Sequence, residues 1–344
     1  MKRCVQVLLF IVIAIATPAK ASEPNSAMQL FKQEKYQAVI DILLSKPDKS
    51  LNDYRLLINA QLKIDLDDAE ESAESMKSAY QDDFRSHLTY ASVMGAQASD
   101  SIFSALGYAK KAKGSLIKAV ELDNTNPAAL NALFSFHLAA PSIAGGDKEE
   151  ARRLVQRIKA VDVIEGELAQ ARYLLSEENT EGAKAILVAL SQQPNSALRA
   201  NMQLGHRYVS EENFGKAIEA YRLAASAELA APNEHADDQI KTRYAEWQQT
   251  KLFAHYRIGW VAVESKTHLE EGVASLRAYI MAYQQAEQVF NLPSLSWAKI
   301  RLTELLLELE QFQEAKVLFS TINELDESDF KKHVRRLKKR LRNT

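Results

Sequence analysis

One segment of the sequence, residues 198–231, constrains the fold more than any other, because its small and aromatic residues are spaced as in a close-packed helix pair. Three small residues, Gly205, Ala217 and Ala224, occupy positions where short side chains let two antiparallel helices approach closely. Aromatic residues between them fill the gaps between successive pairs: Tyr208, Phe214 and Tyr221. The pattern predicts a helix-turn-helix unit that stacks on similar units.

Weaker copies of this unit flank it at residues 164–193 and 296–325. The unit resembles the tetratricopeptide repeat (TPR), a helix-turn-helix of about 34 residues with small or aromatic residues at these positions. The resemblance implies an all-α fold, a TPR-like α-solenoid of antiparallel helix pairs in which the other repeats are degenerate. Glycine (11 residues) and proline (8 residues) are scarce, which agrees with long helices and short connections.

The order of elements after residue 116 also resembles that of a group of exported bacterial TPR proteins. The shared features are an Ala-Pro-x-Ile-Ala-Gly-Gly turn at 140–146, a Leu-Glu-Glu-Gly helix start at 269–272, and a repeat that contains Trp297 and Ala298. This resemblance implies a fold but brings no activity with it.

Two interruptions of the repeat pattern predict longer helices. The rhythm breaks at residues 94–100, and a long helix is expected over about 101–122. A second long helix is expected over 234–264, with Asn233 as its N-cap because it follows Pro232 and precedes helical periodicity. The array is therefore not expected to be uniform.

The N-terminus has the pattern of a secretory signal peptide over residues 1–21. Lys2 and Arg3 precede an apolar run at 5–17, which is shorter than the roughly 20 residues of a membrane-spanning helix. Cleavage after Ala21 would leave residues 22–344 as one TPR-like domain and would remove Cys4, the only cysteine. The sequence thus predicts a periplasmic or secreted protein without disulfides.

No motif predicts catalysis, a cofactor or a metal site. The seven histidines include no His-x-x-x-His pair for zinc, and the only glycine-rich loop, 142–147, is interpreted as a tight turn with Asp147 capping the next helix. Adjacent acids such as Glu70-Glu71, Glu149-Glu150 and Glu211-Glu212 suit exposed helix faces and turns. An envelope enzyme that acts on glycan or peptide with two acids in a groove stays an alternative hypothesis.

The C-terminal segment 327–342 predicts a basic amphipathic helix. Phe330, Val334, Leu337 and Leu341 recur at helical spacing, and eight basic residues lie within 331–342. Such a helix can cap the last repeat of a solenoid. It can also contact an anionic membrane as a peripheral adaptor. Nucleic acid is not an expected partner of an exported protein.

The resemblance also implies a binding groove, because the first helix of each TPR lines the concave surface. Transferring that register predicts a partner-binding set of nine residues: Arg172, Arg199, Met202, His206, Tyr256, Arg257, Trp260, Trp297 and Arg301. Arginine and aromatic side chains are frequent in binding hot spots, and several arginines suit an acidic segment. We therefore expect a non-enzymatic scaffold that binds a protein or peptide partner in the bacterial cell envelope.

Overall fold

The computed structural model describes residues 23–100, 103–236 and 238–343. In these residues the chain forms 17 α-helices and a short 3-10 turn at Ser142–Ala144, and no β-strand. The helices are α1 Glu23–Lys32, α2 Tyr36–Leu44, α3 Leu51–Gln61, α4 Leu66–Ala79, α5 Phe84–Asp100, α6 Ala105–Leu122, α7 Pro127–Ala139, α8 Lys148–Val161, α9 Val163–Ser176, α10 Thr180–Ser191, α11 Pro194–Ser210, α12 Phe214–Ser226, α13 Asp238–Ser265, α14 Leu269–Gln285, α15 Leu295–Glu308, α16 Phe312–Phe319 and α17 Ser328–Arg342.

Consecutive helices pack against one another as pairs, from α1/α2 to α15/α16. The odd-numbered helices from α5 to α15 also pack on each other, so they form one continuous inner layer. In five of the pairs, the two helices are joined by a turn in which one residue has a left-handed φ of 55° to 62°: Glu34, Glu178, Glu212, Lys266 and Glu310. Asn179 and Asn213 follow two of these residues and accept hydrogen bonds from the N–H groups of Gly182 and Lys216, which starts the second helix.

The predicted packing of residues 198–231 is confirmed in the α11/α12 pair. A Cβ atom added to Gly205 would lie 2.4 Å from the Tyr221 ring, so only glycine allows this approach. Ala217 and Ala224 are fully buried on the opposite helix. The small residues therefore set the distance between the two helices, as the spacing indicated.

Two predicted helix boundaries are wrong. Helix α5 continues through residues 94–100, where a break was expected, because Gly95 sits inside the helix without ending it. Helix α13 begins at Asp238, and Asn233 lies in a turn where its carbonyl oxygen accepts from the Ala236 N–H. The Pro-Asn pair is therefore part of a turn that precedes the helix, and Asn233 is not its cap.

The first repeat packs on the last ones, so the solenoid closes on itself. The Phe31 and Phe290 rings meet edge to face with centroids 5.6 Å apart. The Glu34 carboxylate accepts from the Ser296 N–H at 2.8 Å and Oγ–H at 2.6 Å, and from Asn323 Nδ2 at 2.8 Å. We call these five residues the closure seam. One apolar core connects α1–α3 with α13–α17 around it.

Helix α17 covers the end of the array. Its four apolar residues, Phe330, Val334, Leu337 and Leu341, are buried, and the helix packs on α15 and α16. This apolar face is therefore unavailable for insertion into lipid while α17 is docked. Among the described residues, no helix is both long enough and apolar enough to cross a membrane.

Candidate partner-binding surface

A cluster of aromatic and basic side chains lies on the inner layer where α11 meets α13. It consists of His206, Phe253, Arg257 and Trp260, which we call the concave patch. The Arg257 guanidinium carbon lies 4.3 Å from the centroid of the Trp260 ring, and its Nε–H donates to the Tyr221 hydroxyl at 3.2 Å. The Phe253 and His206 ring centroids are 6.4 Å apart. The stacked guanidinium is thereby held in one orientation.

The electrostatics of the concave patch leave Arg257 as its single charge at neutral pH. Desolvation of the imidazole by its neighbours, together with the charge of Arg257, lowers the pKa of His206 to about 4, although the residue keeps exposed surface. Burial raises the pKa of Tyr221 to about 12, against the opposing effect of Arg257. Among the residues that the structure describes, no carboxylate lies within ion-pair distance of Arg257. Its guanidinium can therefore bind a carboxylate of another molecule by donating hydrogen bonds to it.

Two other predicted arginines already have partners within the chain. Arg172 of α9 donates to Ser135 Oγ at 2.6 Å, and its guanidinium lies 4.8 Å from the Phe134 ring centroid. Arg199 of α11 forms an ion pair with Glu165 and lies 5.3 Å from the Trp247 ring centroid. The charge of Arg199 is therefore neutralised, and α13 packs over its guanidinium.

The remaining predicted residues are internal or capped. Met202 and Tyr256 are buried in the core, and Arg301 is 8% exposed, with its Nη1–H donating to Glu264 at 3.3 Å and Glu304 at 3.0 Å. Trp297 donates from Nε1 to Glu327 at 2.9 Å and packs edge to face on Phe330 of α17. These four residues offer little surface to a partner in this structure. Neighbouring helices, among them α13 and α17, cover side chains that the transferred TPR register places in the groove.

Two charged residues that approach each other in the fold, Arg55 and Glu246, were not predicted from the sequence; Arg55 is half-buried and Glu246 is exposed. Burial lowers the pKa of Arg55 on α3, and the nearby Glu246 carboxylate of α13 opposes that shift. Burial likewise raises the pKa of Glu246, against the effects of Arg55 and Arg243. These side chains approach each other only because the solenoid closes, and no local pattern links residues so far apart in the sequence.

The acid pairs noted in the sequence lie on polar surfaces, where they meet basic side chains. Glu149 pairs with Arg152 at 3.1 Å, Glu150 with Arg153 at 3.0 Å, and Glu70 with Lys111 at 2.7 Å. Within the described part of the chain, no three His, Cys, Asp or Glu side chains are grouped as metal ligands. These acids serve as surface ion pairs.

The glycine-rich loop at 142–147 is a tight helix connection, as predicted. Gly145 has a φ of 95°, and a Cβ atom added to Gly146 would lie 1.7 Å from the Ala140 carbonyl oxygen. Asp147 accepts from the N–H groups of Glu149 and Glu150 and so caps α8. Both glycines and the aspartate are thus explained by the backbone.

Solved structures with a similar arrangement of helices include proteins described as TPR proteins. Yeast Tom70 is 13% identical, aligns over 96% of this chain and 67% of its own, and gives a TM-score of 0.52. The fold is that of a TPR protein. A thermophilic TPR protein of Thermus thermophilus is 14% identical over 65% of this chain and 96% of its own, with a TM-score of 0.38. No family model and no curated protein matches the sequence.

Proposed function

We propose that this chain is a non-enzymatic scaffold that binds a protein partner through the concave patch. The observation that carries the proposal is Arg257, whose guanidinium is stacked on Trp260 and has no carboxylate within ion-pair distance among the described residues. An extended acidic segment of the partner supplies the missing carboxylate.

The surroundings of Arg257 support this assignment. The hydrogen bond to Tyr221 and the stacking on Trp260 fix the guanidinium before a partner arrives, so little side-chain entropy is lost on binding. His206 is neutral near pH 7 and adds no competing charge. Aromatic and arginine side chains clustered in this way are typical of interface hot spots.

The setting we propose is the bacterial cell envelope, either periplasmic or secreted. Its support is the signal-peptide pattern of residues 1–21, which lie outside the described residues. Mass spectrometry of the protein recovered from its native host tests this proposal. We expect a mature chain that begins at Ser22, whereas a chain that retains residues 1–21 in the cytoplasm would contradict it.

Calorimetric titration with an acidic peptide captured from envelope extract tests the patch. We expect Arg257→Ala to weaken binding by at least about tenfold, since removing one partner of a charged hydrogen bond costs about 1.5–3 kcal/mol. Arg257→Lys should restore little, because lysine lacks the planar fork. Arg277→Ala is the matched control, since Arg277 is exposed on α14 and pairs with Glu314. Equal losses in the alanine variants of Arg257 and Arg277 would reject the concave patch.

A second candidate is peripheral contact with an anionic membrane through the outer face of α17. Arg335, Lys339 and Arg342 point away from the buried face, and no acidic side chain lies within ion-pair distance of them in the described chain. Vesicles that contain phosphatidylglycerol should sediment the wild type and release a variant with all three residues changed to glutamine. Equal sedimentation of both proteins rejects this candidate.

A further inference from the structure

The two halves of α13 are packed very differently. Six residues of the C-terminal half are buried against neighbouring helices: Leu252, Ala254, Tyr256, Ile258, Val261 and Ala262. In residues 240–251, all of which the structure describes, none is buried. We call this segment the α13 arm. Because a helix gains most of its stability from a packed apolar face, the α13 arm should open at a lower free energy than the rest of α13.

The α13 arm lies on the inner layer beside the concave patch. The centroid of the Trp247 ring is 5.3 Å from the guanidinium carbon of Arg199 on α11. Arg243 pairs at 3.8 Å with Asp162, the residue that caps α9. Arg199 precedes His206 of the concave patch by about two turns of α11, so both residues lie on the same face of that helix. The α13 arm therefore covers a surface that continues from the concave patch.

The side chains of the α13 arm have the chemistry expected of an acidic partner segment. The Glu246 carboxylate approaches Arg55 of α3 and opposes the lowering of the pKa of Arg55 that burial causes. The Trp247 ring covers the Arg199 guanidinium. A carboxylate and an aromatic ring of the same helix thus meet two arginines from other helices, as a partner bound there would do.

These contacts hold the α13 arm only weakly. The pair of Arg243 with Asp162 is partly exposed, and exposed ion pairs contribute little to stability. Trp247 is the one residue of the α13 arm, all of which is described, that packs against a buried apolar cluster, and it is itself only partly buried. Loss of this single anchor should release the segment from the inner layer.

We propose that the α13 arm is an internal competitor, which occupies the surface next to the concave patch and is displaced by an acidic partner segment that extends from Arg257 toward Arg199 and Arg55. The inference rests on the proposed binding of an acidic segment at Arg257. Opening of the α13 arm uses part of the free energy of partner binding, so a weaker arm should give a higher apparent affinity.

Hydrogen exchange followed by mass spectrometry tests the displacement, with hexaglutamate as the acidic probe. Without the peptide, amides of the α13 arm should exchange at least about a hundredfold faster than those of residues 254–262. With saturating hexaglutamate, the α13 arm should exchange faster still, because it leaves the inner layer. Equal exchange of the two halves without the peptide would overturn the proposal, as would unchanged or slower exchange of the arm in the complex.

Anisotropy titration with fluorescein-labelled hexaglutamate measures the competition. Trp247→Ala removes the anchor, and we expect it to tighten binding by at least about threefold. Gln248→Ala is the matched control, because Gln248 is exposed on the same turn and its amide donates to the Tyr244 hydroxyl within the arm. It should bind like the wild type. Circular dichroism checks that both variants are folded.

Arg257→Ala in the same titration separates this inference from the proposed function. If Arg257→Ala weakens binding while Trp247→Ala binds like the wild type, the acidic segment stands and the internal competitor is rejected. Weaker binding by Trp247→Ala also rejects it, because the α13 arm would then be part of the binding surface. If Arg257→Ala binds like the wild type, the proposed function itself is wrong.

Discussion

Three glycines of α11–α14 (Gly205, Gly259 and Gly272) and the glycines of α5–α6 lie in opposite packing environments. A Cβ atom on Gly205 would lie 2.4 Å from the Tyr221 ring, and one on Gly259 would lie 2.2 Å from Leu276 Cγ. On Gly95, Gly107 or Gly114 it would meet no other atom within 4 Å. Glycine is therefore required for helix contact in the first region and leaves unused space in the second.

The solenoid therefore has two kinds of surface, one in the close-packed region of α11–α14 and one in the open region of α5–α7. In the close-packed region, the closure seam and the neighbouring repeats share one apolar core, which fixes the concave patch from several sides. In the open region, two clefts flank the contact between α6 and α7. A rigid patch suits recognition of a partner segment, whereas an open cleft suits a ligand that fills space.

The largest expected effect comes from opening the closure seam. Phe31→Ala removes a ring that is 2% exposed and packs on Phe290, and we expect a loss of about 3–5 kcal/mol in the free energy of unfolding. Urea denaturation followed by circular dichroism measures it. Phe103→Ala is the matched control, because Phe103 is fully exposed and should change stability little. Similar effects of the two substitutions would contradict a packed seam.

Adding one methyl group to a close-packed glycine should give the next largest effect. Gly259→Ala forces Leu276 or the helices to shift, and we expect a loss of about 1–3 kcal/mol. The same denaturation experiment applies. A stability equal to that of the wild type would mean that α13 and α14 are not in close contact at this point.

The same substitution in the open region should act in the opposite direction. Gly107→Ala and Gly114→Ala add a methyl group where there is room, and each should stabilise the protein by about 0.5–1 kcal/mol through better helix propensity. The comparison between the two regions fails if these variants are destabilised like Gly259→Ala.

The smallest effect concerns the concave patch and pH. Because the pKa of His206 falls to about 4 on folding from an ordinary value near 6.5, the unfolded chain binds more protons between these values. The contribution of His206 to stability is therefore complete above pH 6.5 and is lost as the pH falls toward 4. Urea midpoints should fall more steeply over this window for the wild type than for His206→Gln. Parallel curves would contradict the shifted pKa.

The repeat architecture could be predicted because its signals are local. Gly205, Ala217 and Ala224 indicate a contact between two helices of the same 34-residue unit. Asp147 indicates the start of a helix at the end of the six-residue loop 142–147. Each of these patterns acts over a few turns of helix. They are therefore readable from the sequence without knowledge of the superhelix.

The arrangement of the candidate site could not be predicted in the same way. The contact between Glu34 and Ser296 joins positions 262 residues apart and has no periodic signature. The burial of Tyr256 and Arg301 depends on how α13 and α17 sit on the inner layer, which a transferred register does not contain. Packing of the neighbouring helices α13–α17 decides which of these side chains stay open to a partner.

Closure of the solenoid brings the first repeat against the last ones. Pyrene labels on Gln33→Cys and Glu324→Cys, with Cys4→Ser to leave no other thiol, report it directly, because the Gln33 carbonyl oxygen lies 3.3 Å from Asn323 Nδ2. We expect strong excimer emission from the folded chain that disappears in concentrated urea. Monomer emission alone from the folded protein would show that the first and last repeats are apart, and would contradict the closed solenoid.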